Sequence, residues 1–276
     1  MPTNAVAYPL VWRIFSALLI AMSRASLPFL LIAVLTRTSS ITTQMLIRAF
    51  TILFAVPGIA AWLVECAFAA TVGVTDDTLA IARPERRVEI PPRAIARITP
   101  WIVPLPGSGL WVHLRSGQRY GLQVSDPSPL LKALAEMCGT TAPLDHPSVI
   151  YARAKHSWGS WRSYHLAFKY IVFGLVPTLP IFRLRQFITY GGTFGLYYQQ
   201  GLQPYVQEFV HYWVQVLISL VLYAGALRGV AETVALTTAW MARARAATAR
   251  RIVEIGCRVL YYGGIPAFLL WYFFAD

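Results

Sequence analysis

The sequence predicts an α-helical integral membrane protein of about five transmembrane helices, with a small α+β domain inserted between them. Three observations predict it. The chain of 276 residues is 57% hydrophobic and 13% charged, with mean hydropathy +0.53, far from the ~45–50% apolar and ~25% charged balance of soluble domains. Long apolar runs gather towards both ends of the chain. Between them, 73–139 is the one long stretch whose pattern suits folding in water.

The first part, 1–72, reads as a membrane hairpin. Spans at about 14–35 and 46–72 are apolar apart from Arg24, Arg48, Glu65 and a few hydroxyls, and each can cross roughly 30 Å of hydrocarbon. The short polar turn TRTSSITTQ makes them antiparallel neighbours, so both ends of the hairpin face one side. The apolar run after Arg13 lacks a small-residue cleavage site, so the first helix is expected to be retained.

In 73–139, VTDDTLAIA and RRVEI read as short strands, broken by Pro91 and Pro92. LWVHLRSGQRYGLQV alternates apolar and polar residues about a Ser116-Gly117 turn, the pattern of a β-hairpin. Asp126 and Pro127 then open SPLLKALAEMC, where Leu130, Leu131, Leu134 and Met137 recur at helical spacing before Gly139 stops the helix.

Elements in this order resemble the bacterial pleckstrin-homology-like modules, which often sit beside paired membrane helices. The resemblance covers 73–139 and implies a bent antiparallel sheet closed at one end by the helix after Asp126, with a scaffolding or binding role at a membrane face. Pro100, Pro104 and Pro106 depart from the pattern, because proline cannot donate to a strand ladder; one strand is expected to be an edge or missing. Eukaryotic relatives of the fold hold phosphoinositides with basic residues in a strand loop. The resemblance thereby implies contact with anionic lipid at Arg83, Arg86, Arg87, Arg93 and Arg97, as a membrane-facing basic surface rather than a specific headgroup pocket.

Residues 140–163 read as a linker or interfacial segment, with Trp158 and Trp161 at headgroup level. The final region, 164–276, is expected to hold three spans at about 165–182, 209–227 and 255–274, with Arg258 snorkelling towards the headgroups. Orientation follows from the cations. Arg243, Arg245, Arg250 and Arg251 gather without an acid between spans four and five, and the flanks of 73–139 are also basic. An antiparallel count puts both regions on one face, and the rule that positive loops stay inside makes it the cytoplasmic face of a bacterial inner membrane, in a multi-pass protein. These four arginines join the lipid or partner contact set.

The net charge of +12 is met by lipid attraction and orientation, so nucleic acid is not an expected partner. Catalytic motifs are sparse: Gly107 and Gly109 lack the third glycine of a dinucleotide fingerprint, and no P-loop, HExxH or GxSxG is present. His113, His146, His156, His165 and His211 are scattered, and Cys66, Cys138 and Cys257 stand apart, so no metal, cofactor or disulfide framework is expected. Adjacent Asp76 and Asp77 read as a turn or cap.

Ionisable groups at membrane depth are costly and are usually paired. Arg228 with Glu232, and Glu254 with Arg258, are each four apart on one helix face. Glu65 and Lys169 are expected to form an interhelical pair, with Arg24 the alternative partner. In the glycine- and tyrosine-rich stretch 183–213, expected to skim or re-enter the membrane, Glu208 and His211 lie three apart and form the one acid-base candidate. The sequence therefore favours a non-enzymatic membrane protein that holds the module against the bilayer to bind lipid, a membrane-protein partner or a second copy. The alternative is a lipid-acting enzyme or small transporter using 183–213 or Glu65 and Lys169.

Overall fold

A computed structural model describes residues 3–36, 43–75, 78–84, 86–157 and 163–267. It is mostly helical, with one separate antiparallel sheet. The chain opens with strand β1 (Thr3–Tyr8) and passes into helix α1 (Leu10–Leu35). Helix α2 (Thr43–Phe50) runs through a π turn at Thr51–Ala55 into α3 (Val56–Ala67). Strands β2 (Ala69–Val74), β3 (Leu79–Ala82), β4 (Arg87–Ile90), β5 (Ile95–Pro100), β6 (Gly109–Leu114) and β7 (Arg119–Gln123) follow. Helices α4 (Ser128–Cys138), α5 (Pro147–His156) and α6 (Ser163–Ala167) come next, and a π turn at Phe168–Val172 leads into α7 (Phe173–Tyr190). The described chain closes with α8 (Gly195–Gln200), α9 (Leu202–Met241) and α10 (Ala246–Tyr262).

Four helical segments, Leu10–Leu35, Gln44–Ala67, His165–Tyr190 and Leu202–Met241, are long and apolar enough to cross a membrane. By contact the chain divides into two units. The first is Met1–Ala25, Leu53–Gly159 and Ala231–Val253; the second is Ser26–Ile52, Ser160–Val230 and Glu254–Asp276.

In the first unit the seven strands run in the order β4-β3-β2-β1-β7-β6-β5. Every pairing is antiparallel. Strand alternation turns Val72, Leu79, Leu110, Val112 and Leu122 into a core completed by Leu131 and Leu134 of α4 and Val149 of α5. Turn chemistry behaves as the sequence reads. Gly117 takes φ 85° between β6 and β7, and the Asp126 carboxylate accepts from the Ser128 amide (2.9 Å) at the start of α4. Gly139 ends α4 in the left-handed region.

The sheet departs from the expected boundaries at its centre. β1, read as part of a purely helical 1–72, pairs with β2 (Val6↔Ala69) and with β7 (Val6↔Gln123). The hairpin is thus inserted into the sheet, between its first two strands. The second span correspondingly ends at Ala67 rather than 72, because AATVGV forms β2. A continuous apolar run does not by itself separate a buried strand from a helix end. β5 is an edge strand that stops at Pro100, where the proline is tolerated.

The stretch expected as a linker contains α5, whose Val149 and Ala152 are fully buried; Trp158 and Trp161 lie outside the described residues. The helices at 165–182 and 209–227 run on to Tyr190 and back to Leu202. The 40 residues of α9 make a rod of roughly 60 Å, about twice the hydrocarbon thickness. Its last turns accordingly belong to the first unit, where Ala235 and Ala239 pack with Tyr151 of α5 and Ala246 of α10. Of the fifth expected span, 255–274, α10 supplies the described start; 268–276 lie outside the described residues.

Candidate functional site

Three polar constellations bear on function, and each is fixed by local structure. The first lies on the outer face of β5, β6 and β7. Strand register sets Arg97 opposite His113 and His113 opposite Arg119, a cationic row across three strands. Two residues along each strand, the next row is Thr99, Trp111 and Gly121, with Tyr8 of β1 beyond. A Cβ on Gly121 would stand 2.7 Å from the Trp111 ring, so only glycine lets that indole lie flat across β7. The Arg119 guanidinium lies 5.5 Å from the Trp111 ring centroid. Thr99 Oγ1 and His113 Nε2 share a hydrogen bond of 3.0 Å. Burial, then Arg97 and Arg119, hold the His113 imidazole below its ordinary pKa.

This face carries the root of the two apolar helical segments Leu10–Leu35 and Gln44–Ala67. Tyr8, Val64 and Trp101 are buried together, with Val6, Phe68 and Trp111 packed against them. The Arg13 guanidinium of α1 sits 3.8 Å over the Trp101 ring and 5.0 Å from that of Trp111, a cation held between indoles. Glu65 of α3 accepts from Gln123 Nε2 of β7 (3.3 Å). Burial pushes the Tyr8 hydroxyl up to about 12, with Ser16 pulling it down and Glu65 adding to the rise. The helices are joined within the hairpin too: Ser23 Oγ donates to the Phe54 carbonyl (3.0 Å) in the π turn, where the regular ladder is interrupted.

Of the arginines read as lipid or partner contacts, Arg86, Arg93, Arg97, Arg243, Arg245 and Arg251 are exposed. Arg87 is exposed and paired with Glu89 (2.9 Å). Arg83 is committed to structure, donating to the Ala7 carbonyl with its cation 5.4 Å from the Phe68 ring centroid. Arg250 does not belong to the surface set. It is 1% exposed and donates to both oxygens of Glu232, at 2.9 and 3.1 Å.

The second constellation surrounds that carboxylate. Tyr151 of α5 also donates to Glu232, and Lys155 lies 3.6 Å away. In the second unit Arg228 Nη1 meets Glu254 Oε1 at 2.6 Å. Helical spacing pairs Arg228 with Glu232 and Glu254 with Arg258 in the sequence; the structure shows cross-helix partners, α9 to α10, for both carboxylates. Cys257 Sγ donates to the Leu227 carbonyl (3.5 Å) along the same helix pair. Arg258 is on the exposed side of α10, and Arg24 is exposed on α1. Glu65 and Lys169 fall in different units. Lys169 Nζ lies 4.5 Å from the Tyr261 ring centroid, and Tyr261 Oη donates to the Lys169 carbonyl (3.1 Å).

The third is at Glu208. Gln186 of α7 is fully buried; its Nε2 donates to Glu208 Oε2 (3.2 Å), and its Oε1 accepts from the Leu196 amide of α8 (3.2 Å). Arg185 Nε lies 3.3 Å from Glu208 Oε1. Phe182 fills the space beside it against Tyr205, Phe209 and Tyr212. Glu208 thus closes a turn between helices, while His211 is exposed. The stretch 183–213 is a helix end, a short helix and a helix start.

Sequence reading missed the row through His113 and Arg119 and the cage around Arg13. The signal was present, since His113 and Arg119 stand three residues either side of Ser116 and so face each other once the hairpin closes there. Among the described residues no three His, Cys, Asp or Glu side chains come together as a metal set. The three cysteines are free thiols. Comparison with protein-family models, with curated proteins and with solved structures finds no match to this chain.

Proposed function

We propose that this is a non-enzymatic multi-pass protein of a bacterial inner membrane that holds a pleckstrin-homology-like module at the cytoplasmic face, where the module binds anionic lipid or the acidic surface of a partner. The observation that carries the reading is the cationic row Arg97, His113 and Arg119 on a sheet face whose neighbouring rows pack on the hairpin root at Arg13 and Val64. Strands rise about 3.3 Å per residue, so the row is at most ~13 Å along β5 from Trp101. That keeps it within a Debye length or so of the lipid surface, where each cation contributes about 1 kcal/mol of attraction. The strand order and the helix following β7 support the module's assignment, since a bent antiparallel sheet closed by that helix is what the resemblance implies. Exposed Arg243, Arg245 and Arg251 at the α9–α10 corner support a cytoplasmic position for that corner.

The test is native mass measurement of the full chain released from mild detergent, with identification of bound lipids and proteins. Retained anionic lipid is expected to fall roughly ten-fold or more when Arg97→Ala is combined with Arg119→Ala, from the loss of two such cations. Arg48→Ala, outside the module, is expected to change nothing. Unchanged lipid and protein retention in the double variant would overturn the reading.

A further inference from the structure

We propose that the loop joining β5 to β6, residues 101–108, dips into the bilayer beside the hairpin and wedges Ile102 and Val103 among the lipids. The inference is independent of what the cationic row binds; it needs only that α1 and α3 cross the membrane.

Depth is set by α1. Its 26 residues extend to about 39 Å at ~1.5 Å per residue, against roughly 30 Å of hydrocarbon. About three residues at each end therefore lie in the headgroup layer, and Arg13, the fourth residue of α1, marks the hydrocarbon edge. Trp101 is tied to that level twice. Its ring lies under the Arg13 guanidinium at 3.8 Å, and it is buried with Val64, in the last turn of α3. The loop base is equally fixed: the Trp101 amide donates to the Gly109 carbonyl and the Val124 amide to the Ser108 carbonyl, both at 2.9 Å. A Cβ on Gly109 would fall 2.9 Å from the Trp101 ring and 2.4 Å from the Leu122 carbonyl, so the glycine is what lets the indole settle there.

The residues after Trp101 are the wrong kind for water. Trp101 is 2% exposed, whereas the next two, Ile102 and Val103, are 65% and 54% exposed. The segment WIVPLPGSG carries no charge at all. Two residues extend the chain by at most ~7 Å, so from the hydrocarbon edge they stay in the outermost part of the acyl layer. An uncharged loop with paired aliphatic side chains, pinned at the hydrocarbon edge, fits the chemistry of a lipid surface and is continuous with the span that anchors it. Pro104 and Pro106 restrict the backbone behind the wedge, which lowers the entropy lost on insertion.

The test uses the full chain in lipid nanodiscs, with Cys66, Cys138 and Cys257 replaced by serine and an environment-sensitive fluorophore at one introduced cysteine. Ile102→Cys and Val103→Cys are the probes, Phe29→Cys in α1 reports hydrocarbon, and Ser116→Cys at the far hairpin turn reports water. The expected result is strong quenching by doxyl-labelled lipid at positions 29, 102 and 103, with iodide quenching at 102 and 103 roughly five-fold weaker than at 116. Iodide quenching at 102 and 103 equal to that at 116, with 29 still lipid-quenched, would overturn the wedge and leave the spans standing. Loss of lipid quenching at 29 would overturn both.

Discussion

Arg250 of α10 donates through both terminal nitrogens to the two carboxylate oxygens of Glu232 on α9, at 2.9 and 3.1 Å, with its own side chain 1% exposed. Tyr151 and Lys155 of α5 converge on the same carboxylate. One acid therefore fastens three helices of the first unit. A buried pair of this kind contributes less to net stability than its geometry suggests, because both ions are taken out of water; its removal by halves is another matter.

Removing one partner takes the paired hydrogen bonds from the other. Arg250→Met removes the two-pronged donor to Glu232, and Glu232→Leu removes the carboxylate that both terminal nitrogens of the buried guanidinium bind. Each is expected to cost about 3–5 kcal/mol, while the double change recovers much of the loss. Thermal unfolding in detergent checks this. A double variant no more stable than either single, or an Arg250→Met protein as stable as the parent, would refute it.

His113 supplies a pH dependence. Its pKa is held below the ordinary value by burial and by Arg97 and Arg119, so the folded protein binds fewer protons there than the unfolded chain. The stabilisation is fully present above the unfolded pKa of about 6.5 and is lost as pH falls through the depressed folded value. His146, lowered by burial and by Arg243, acts in the same direction. An anion docked on the cationic row opposes that lowering at His113, because a negative neighbour favours the imidazolium. Ring resonances assigned with His113→Gln are expected to titrate higher in nanodiscs of anionic lipid than in zwitterionic ones. Identical titrations would show that no anion reaches the row.

Gln186 predicts a local effect. Its side chain gives one hydrogen bond to Glu208 and takes one from the Leu196 amide while fully buried. Gln186→Leu keeps the bulk but strands a buried amide, at a cost of roughly 1–3 kcal/mol. Hydrogen exchange is expected to rise across Gly195–Gln200 and to stay unchanged across the β6–β7 hairpin. Unaltered exchange in α8 would show that the turn is held by its aromatic contacts instead.

Local signals were legible in the sequence wherever the structure is local. The Ser116-Gly117 turn, the cap at Asp126, the stop at Gly139 and the cores of four membrane helices all depend on a few adjacent residues. Long-range pairing was not. TNAVAY carries no turn signal, and its partners begin at Ala69 and end at Gln123, so nothing near residue 3 announces a central strand. The same limit hid the ion pairs. Helical spacing points Arg228 at Glu232, but only the packing of α10 against α9 delivers Arg250 to Glu232 and Glu254 to Arg228. The row at Arg97, His113 and Arg119 lay between these cases: its β6–β7 half follows from the hairpin's centre, while its β5 half needs a register interrupted between Ile95 and Arg97.

The placement of both apolar helices between β1 and β2 also sets the order in which the sheet can close. As the polypeptide leaves the ribosome, the opening strand emerges before its first partner, with both apolar helices still to follow. Only when Ala69 follows can the two edges meet, and only when Gln123 appears is the other flank closed. Until β1 takes its place between them, β2 and β7 are open edges, so closing the sheet depends on the one strand that the two apolar helices separate from all the others.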